Sequence, residues 1–269
     1  MHSQQPKVFF NRKESGLYME YALVTGGTSG IGYELARCFA ADGYGIVLVS
    51  SNETNLNSVK EKFQKEFDIR VQTIVQDLSR PKAALMVHSQ IKEMGIYVTA
   101  LVNCAGFGTV GPTDKIDAQK DEAMLQLNVI SLVEMCKLFL PDMYRAGNGG
   151  ILNVASTGAF QPGPYTSTYY ASKSFVLSYS RAIRYEAARH NVNVSTLCPG
   201  TTRTEFFKKE GMKTPFYAVS AKSVARYAYR RYNKNREVIV PGIMNKLMRI
   251  LPIKIKVAGI AKMKEQSDT

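Results

Sequence analysis

An apolar run, Tyr21-Ala22-Leu23-Val24-Thr25, feeds through Gly26-Gly27-Thr28-Ser29-Gly30-Ile31-Gly32 into an amphipathic stretch from Ile31 to Ala41. This strand, glycine-rich turn and helix constrain the fold more than any other feature of the chain. Glycine reaches backbone conformations closed to other residues, and without a Cβ it lets a ligand come close to the main chain. Amides at the start of the following helix then point at that ligand, an arrangement suited to a dinucleotide pyrophosphate. Any strand-to-helix turn can use glycine, so the turn gains its weight from what surrounds it.

The same alternation continues: Gly45 to Val49, then roughly Thr54 to Phe67; Val71 to Val75, then roughly Pro81 to Met94; Ala100 to Asn103, then about Asp121 to Ala146. Gly150 to Val154, a helix near Thr168 to His190, Asn193 to Cys198 and Glu237 to Val240 complete about seven strands. Strands separated by helices require a parallel sheet covered on both faces, so an α/β, Rossmann-like doubly wound sheet is predicted. No repeat or low-complexity tract interrupts it.

With 45% hydrophobic residues and no shift in composition, the chain reads as one domain, residues 19–269, preceded by a flexible extension at 1–18. The extension's apolar run, Val8-Phe9-Phe10, is too short for a signal peptide or membrane span. Cys38, Cys104, Cys136 and Cys198 have neither metal nor disulfide-framework spacing, so a reducing, cytoplasmic setting is expected and no metal. The formal charge is +13. Between Ala221 and Thr269 the lysines and arginines meet only Glu237, Glu265 and Asp268, so much of the excess lies there. In the tail at about 241–269, Met244, Leu247, Met248, Ile250 and Leu251 interleave with Lys246 and Arg249 before Pro252. Packing on the pocket, docking on a membrane surface and capture of an acidic carrier protein are its three readings. Nucleic acid is not expected, since no reader helix or stacking platform is recognisable.

The spacing TGxxxGxG, with further motifs in order from about Tyr21 to Gly200, resembles the short-chain dehydrogenase/reductase family. Those motifs are Asp77-Leu78 after the third strand, Asn103-Cys104-Ala105-Gly106 (the family's NNAG with Cys at the second position), Asn128, Ser156, Tyr169-Tyr170-Ala171-Ser172-Lys173 (YxASK) and Pro199-Gly200. The resemblance implies a nicotinamide dinucleotide held by Gly26, Thr28, Ser29, Gly30, Ile31, Gly32, Asp77, Leu78, Asn103, Ala105, Gly106, Tyr169, Lys173, Pro199, Gly200, Thr202 and Thr204. Ser50, Ser51 and Asn52 stand where a carboxylate would select NAD by binding the ribose 2′-hydroxyl. Its absence favours NADP(H), with NAD(H) the alternative, and Glu53 is the residue that would reverse this preference.

Tyr169 and Lys173 lie one helical turn apart, with Cβ atoms ~6 Å from each other. A lysine ammonium and an oxidised nicotinamide would draw a phenol from its ordinary pKa of ~10 toward neutrality, making Tyr169 a general acid for ketone reduction and base for alcohol oxidation. Only Tyr169, and not Tyr170, has this relation to Lys173. The resemblance further implies that Lys173 holds the nicotinamide ribose, Ser156 hydrogen-bonds the substrate oxygen and Asn128 supports a proton-relaying water. Ser156 precedes Tyr169 by thirteen residues at a predicted strand end. Of the histidines, His2, His88 and His190, none is placed as a hydrolase base.

Phe107-Gly108, Phe160 to Tyr165, and Phe206, Phe207, Met212, Phe216 and Tyr217 are expected to wall an apolar substrate pocket. A hydrophobic ketone or secondary alcohol, such as a ketoacyl or steroid-like molecule, is the expected substrate of a homodimer or homotetramer. The alternative is a non-catalytic dinucleotide-sensing protein on the same fold.

Overall fold

The computed structural model describes residues 19–205, 215 and 218–265. The expectations for residues 1–18 and for Phe206, Phe207, Met212, Phe216 and Tyr217 lie outside the described residues. Strand and helix alternate as β1 (Tyr21–Thr25), α1 (Gly30–Ala41), β2 (Gly45–Ser50), α2 (Glu53–Glu66), β3 (Val71–Val75), α3 (Ala83–Glu93) and β4 (Val98–Asn103). There follow α4 (Ala118–Leu125), a π-helical turn (Gln126–Ile130), α5 (Ser131–Ala146), β5 (Gly150–Val154), a 3₁₀ turn (Thr157–Phe160), α6 (Ser167–Ala188) and β6 (Asn193–Leu197). A two-residue pair, β7 (Thr202–Arg203) and β8 (Val219–Ser220), precedes α7 (Ala221–Tyr232), β9 (Val238–Ile239), α8 (Ile243–Met248) and α9 (Ile253–Glu265).

Seven strands form one parallel sheet in the order β3-β2-β1-β4-β5-β6-β9. β1, β2, β4 and β5 are near-continuous apolar runs because both faces of the sheet are covered. Ala22, Val24, Ile46, Leu48 and Val102 face a core shared with α1, α2 and α7, in which Phe39 meets the rings of Tyr44 and Tyr229 at 5.1 and 4.8 Å. Leu23, Val47, Val49, Leu101 and Ile151 face the opposite core, built with α3, α5 and α6. The helical run Ala118–Ala146 is long and apolar enough to cross a bilayer by length and composition, yet Leu132, Met135, Phe139, Leu140 and Met143 on it are buried against the protein's own core.

One group of polar side chains lies inside this apolar surface. Asn103 Nδ2 donates to Asn153 Oδ1 at 2.9 Å, Asn153 Nδ2 donates to Ser180 Oγ at 2.9 Å, and Ser180 Oγ donates to Val176 O at 2.6 Å. The group ties β4, β5 and α6 together behind the ends of the central strands. In a dry interior a lost partner leaves a polar atom unpaired, as Asn103 Oδ1 already is, so each remaining bond of the group matters. Asn153→Ala is therefore expected to cost about 2–4 kcal/mol, because it strips partners from Asn103 and Ser180. Urea unfolding checks this; the midpoint should fall with the slope unchanged.

Candidate active site

The chain leaves β1 toward β2 and β3 on one side, while β4, β5 and β6 lie on the other, so the connections at the C-terminal ends of β1 and β4 diverge. That divergence opens a crevice at the place where doubly wound sheets bind ligands. Thr25 Oγ1 bridges the two strand ends, accepting from Cys104 N at 3.0 Å and Ala105 N at 3.1 Å. Gly26 sits just beyond, with φ +66, and a Cβ there would stand 2.9 Å from Ala105 Cα. At Gly32 a Cβ would fall 2.3 Å from the Gly26 carbonyl oxygen. These positions require glycine for the turn to pass this close to β4 and into α1.

The helix that follows is left open. Ser29 precedes α1 in an extended conformation without a side-chain cap, and the first turn carries no acidic residue. The leading amides and the positive end of the helix dipole thus keep their capacity for an anion. They border a cleft of about 1100 Å³ lined by Gly26, Thr28, Ser29, Gly30, Ile31 and Gly32. Ser50, Ser51, Asp77, Leu78, Ala105, Gly106, Pro199, Gly200, Thr202 and Thr204 line it as well, and Ser156, Tyr169 and Lys173 sit in the same wall. Shape, glycines and uncapped amides suit a dinucleotide.

Three expected residues lie elsewhere. Asn52 is outside the lining because its Oδ1 caps α2, accepting from Asn55 N at 2.8 Å. Asn103 points its carboxamide away into the buried group with Asn153, so it supports the floor of the cleft from behind. Asn128, in the π turn, lies behind Gly106: its Oδ1 accepts from Phe107 N at 3.2 Å, and its Nδ2 donates to Phe107 O at 2.9 Å and to Ser172 Oγ at 3.2 Å. Phe160 is also displaced from the expected pocket wall. The Arg249 guanidinium stacks on its ring at 4.4 Å, and the cleft receives Thr157 and Thr166 from that connection instead.

Within the wall, the Lys173 amine is 5.7 Å from the centre of the Tyr169 ring and donates to the Val154 carbonyl at 3.0 Å. A Cβ at Gly106 would meet Asn128 Oδ1 at 2.8 Å and Lys173 Nζ at 3.3 Å, so the bare backbone of Gly106 leaves room for both groups. Burial pushes the Lys173 amine down to about 8, opposed by the neighbouring Cys104 and Cys198. Burial also pushes the Cys104 thiol up to about 12, so the residue replacing the motif's second Asn is a neutral thiol beside the lysine. Ser156 Oγ accepts from Gly158 N at 3.0 Å, which leaves its hydroxyl proton available to an oxygen in the cleft. Partial burial raises the Asp77 carboxyl, but hydrogen bonds from Ser79 N and Oγ, with the charge of Arg80, hold it below the usual carboxylate range. Tyr170 packs its ring over Gly163, where a Cβ would come within 2.4 Å, and so forms part of the wall. His88 lies edge-on to Phe139 and His190 stacks on Tyr144, both away from the cleft.

Sequence reasoning missed several lining residues. Val49, Gln76 and Ser79 follow from the strand-end rule applied one residue more widely. Met263 and Lys264 of α9 accord with the reading in which the tail packs on the pocket, but nothing local in the sequence singles out these two residues.

A parallel sheet with an uncapped glycine-rich turn and a serine, tyrosine and buried lysine in one cleft is the architecture of a dinucleotide-dependent oxidoreductase. The family model for short chain dehydrogenases matches residues 20–214, and the chain belongs to that family. It is 31% identical over 216 residues to hydroxysteroid dehydrogenase-like protein 1 of Gallus gallus, covering 78% of this chain and 65% of the relative. Over 189 residues it is 32% identical to sulfoacetaldehyde reductase 2 of Chromohalobacter salexigens, covering 70% of this chain and 74% of the relative. The match to the very-long-chain 3-oxoacyl-CoA reductase of Mus musculus is 30% over 195 residues, 70% of this chain and 61% of the relative. Among solved structures, a short-chain dehydrogenase from Sphingobium yanoikuyae in complex with NADPH superposes with a TM-score of 0.80 at 25% identity, over 93% of this chain and 96% of that one.

The depressed lysine makes a prediction. Below pH 8 the folded and unfolded chains both carry this proton, and the folded chain bears the full cost of a buried cation. As pH rises from about 8 toward lysine's ordinary 10.5, the folded form loses the proton first and the cost shrinks. Lys173→Met should stabilise the protein at pH 7 by about 2 kcal/mol, the desolvation cost less one hydrogen bond, while abolishing turnover. Thermal unfolding at pH 7 and pH 10 measures it, and the gain should shrink at the higher pH.

Proposed function

We propose that the chain is an NADP(H)-dependent oxidoreductase interconverting a hydrophobic ketone and its secondary alcohol, with Tyr169 as general acid and base. The observation that carries this reading is that Ser156, Tyr169 and the buried Lys173 line the same cleft as the uncapped start of α1. Gly26 to Gly32, Thr28 and Ser29 would hold the cofactor's phosphates, with Thr202 and Thr204 opposite; when bound, the nicotinamide supplies or accepts the hydride. Ser156 donates a hydrogen bond to the substrate oxygen. Tyr169 gives that oxygen a proton in reduction and removes it in oxidation. Lys173, protonated at neutral pH, favours the phenolate by its charge, and Val154 O orients it. Asn128 is a positioning residue that fixes Phe107 and Ser172.

Preference for NADP(H) is supported by the rim at β2. Ser50 and Ser51 line the cleft with Gln76, Ser50 Oγ is 3.4 Å from Thr28 Oγ1, and Glu53 opens α2 outside the lining. Hydroxyls and a carboxamide can donate to a 2′-phosphate, which a carboxylate would repel. A hydrophobic substrate is supported by Phe107, Leu127, Tyr170 and Met263 in the wall and by two relatives named for steroid and very-long-chain oxoacyl compounds. Exposed Leu125, Ile130 and Phe175 on the long helices support a homo-oligomer, whose setting we take to be cytoplasmic.

NADPH oxidation with a panel of lipophilic ketones tests the reading. Tyr169→Phe should lower kcat by about 10²–10⁴ while leaving NADPH affinity near wild type. NADPH should bind more tightly than NADH. Binding of cofactor without turnover on any carbonyl would instead favour a dinucleotide sensor. Sedimentation equilibrium should give a dimer or tetramer, and Ile130→Asp should shift it toward monomer.

A further inference from the structure

The helices α8 and α9 leave much of their apolar surface outside and turn one lysine in. Ile243, Met244, Leu247, Ile250, Ile253 and Ile255 are exposed, Ile243 by 76% and Ile250 by 79%, whereas Lys256 is only 6% exposed. Its ammonium turns inward and donates to the Phe160 carbonyl at 3.2 Å. A helix packed for its own sake would bury the isoleucines and send the lysine to water. Here the inner contacts fasten the tail to the 3₁₀ turn at Phe160, with Arg249 over the ring, while Met263 and Lys264 enter the cleft lining. The outer surface is left with exposed apolar side chains on two helices broken at Pro252.

Charge decides what can cover it. Residues 243–264 carry Lys246, Arg249, Lys254, Lys256, Lys262 and Lys264 and no Asp or Glu. A second copy placed symmetrically on this surface would set the same unbalanced cations against each other. Apolar side chains interleaved with lysines suit the boundary between acyl chains and anionic headgroups, where each basic residue near the surface adds affinity without a fixed partner geometry.

We propose that α8 and α9 dock the protein on an anionic lipid bilayer, with Ile243, Met244, Leu247, Ile250, Ile253 and Ile255 in the acyl boundary, the exposed Lys254 and Lys262 among the headgroups, and the cleft opening beside the membrane. The docking stands apart from the catalytic reading. Only its corollary, that a lipophilic carbonyl substrate enters from the bilayer, rests on that reading.

Flotation of the full-length protein with vesicles tests it, comparing an equimolar mixture of phosphatidylcholine and phosphatidylglycerol with phosphatidylcholine alone. Wild type should float with the anionic vesicles and hardly with the neutral ones. Lys254→Gln with Lys262→Gln, both exposed, should weaken binding by roughly tenfold or more, and added salt should do the same. Ile250→Asp with Ile255→Asp should abolish it, with folding confirmed by an unchanged thermal unfolding midpoint and unchanged circular dichroism. No flotation of wild type, equal flotation of the isoleucine variant, or equal binding to both vesicle types would overturn the proposal. Self-association that the isoleucine variant removes, in the absence of lipid binding, would overturn it in favour of a second copy. Flotation as expected with no turnover of any carbonyl would leave the docking standing and remove the catalytic reading.

Discussion

Divergence of the chain after β1 and β4 governs nearly everything else in this molecule. Two adjacent parallel strands lead their connections in opposite directions, and the gap beyond their ends is kept narrow by one hydroxyl, Thr25 Oγ1, accepting from two successive amides of the β4 connection. Gly26 passes beside Ala105 at a separation only glycine allows, and α1 begins immediately beyond with its amides uncapped. The cleft is thus a consequence of sheet topology, and its affinity for anions a consequence of where a helix starts.

The chemistry is added to that frame from the far side of the switch point. β5 delivers Ser156 at its end, and α6 returns across it to present Tyr169 and Lys173 one turn apart. Burial makes Lys173 costly to protonate, so the protein surrounds it with a carbonyl, two thiols and the crowded Gly106 backbone. This is a local sacrifice of stability at a functional position, supported from behind by the hydrogen-bonded set of Asn103, Asn153 and Ser180.

Residues whose roles follow from position along a strand or helix were legible in the sequence. The seven strands, the glycine turn and the one-turn relation of Tyr169 to Lys173 rest on local period and spacing, which survive folding unchanged, whereas Ser156 was singled out by the motif resemblance. Asn52 and Phe160 were assigned to the cleft from their place after β2 and β5, and Asn103 from the motif resemblance, and each was claimed by a competing interaction: a helix cap, a stacked guanidinium and a buried carboxamide pair, respectively. Competition of that kind depends on which neighbour arrives from another part of the chain, and no local pattern records it.

The C-terminal tail shows the same division most clearly. Its basic and apolar composition was readable, as was the interleaving of the two kinds of residue before Pro252. Which face would be turned inward was not, because the period of an amphipathic helix predicts a buried apolar side and here the buried position is Lys256. By itself, then, the sequence determined the strand and helix order, the turn chemistry and the tyrosine-lysine pairing, since these depend on residues close together in the chain. Tertiary structure alone decided which side chains reach the cleft, how far the lysine is desolvated and where the tail's apolar surface points, since these depend on contacts between residues far apart in sequence.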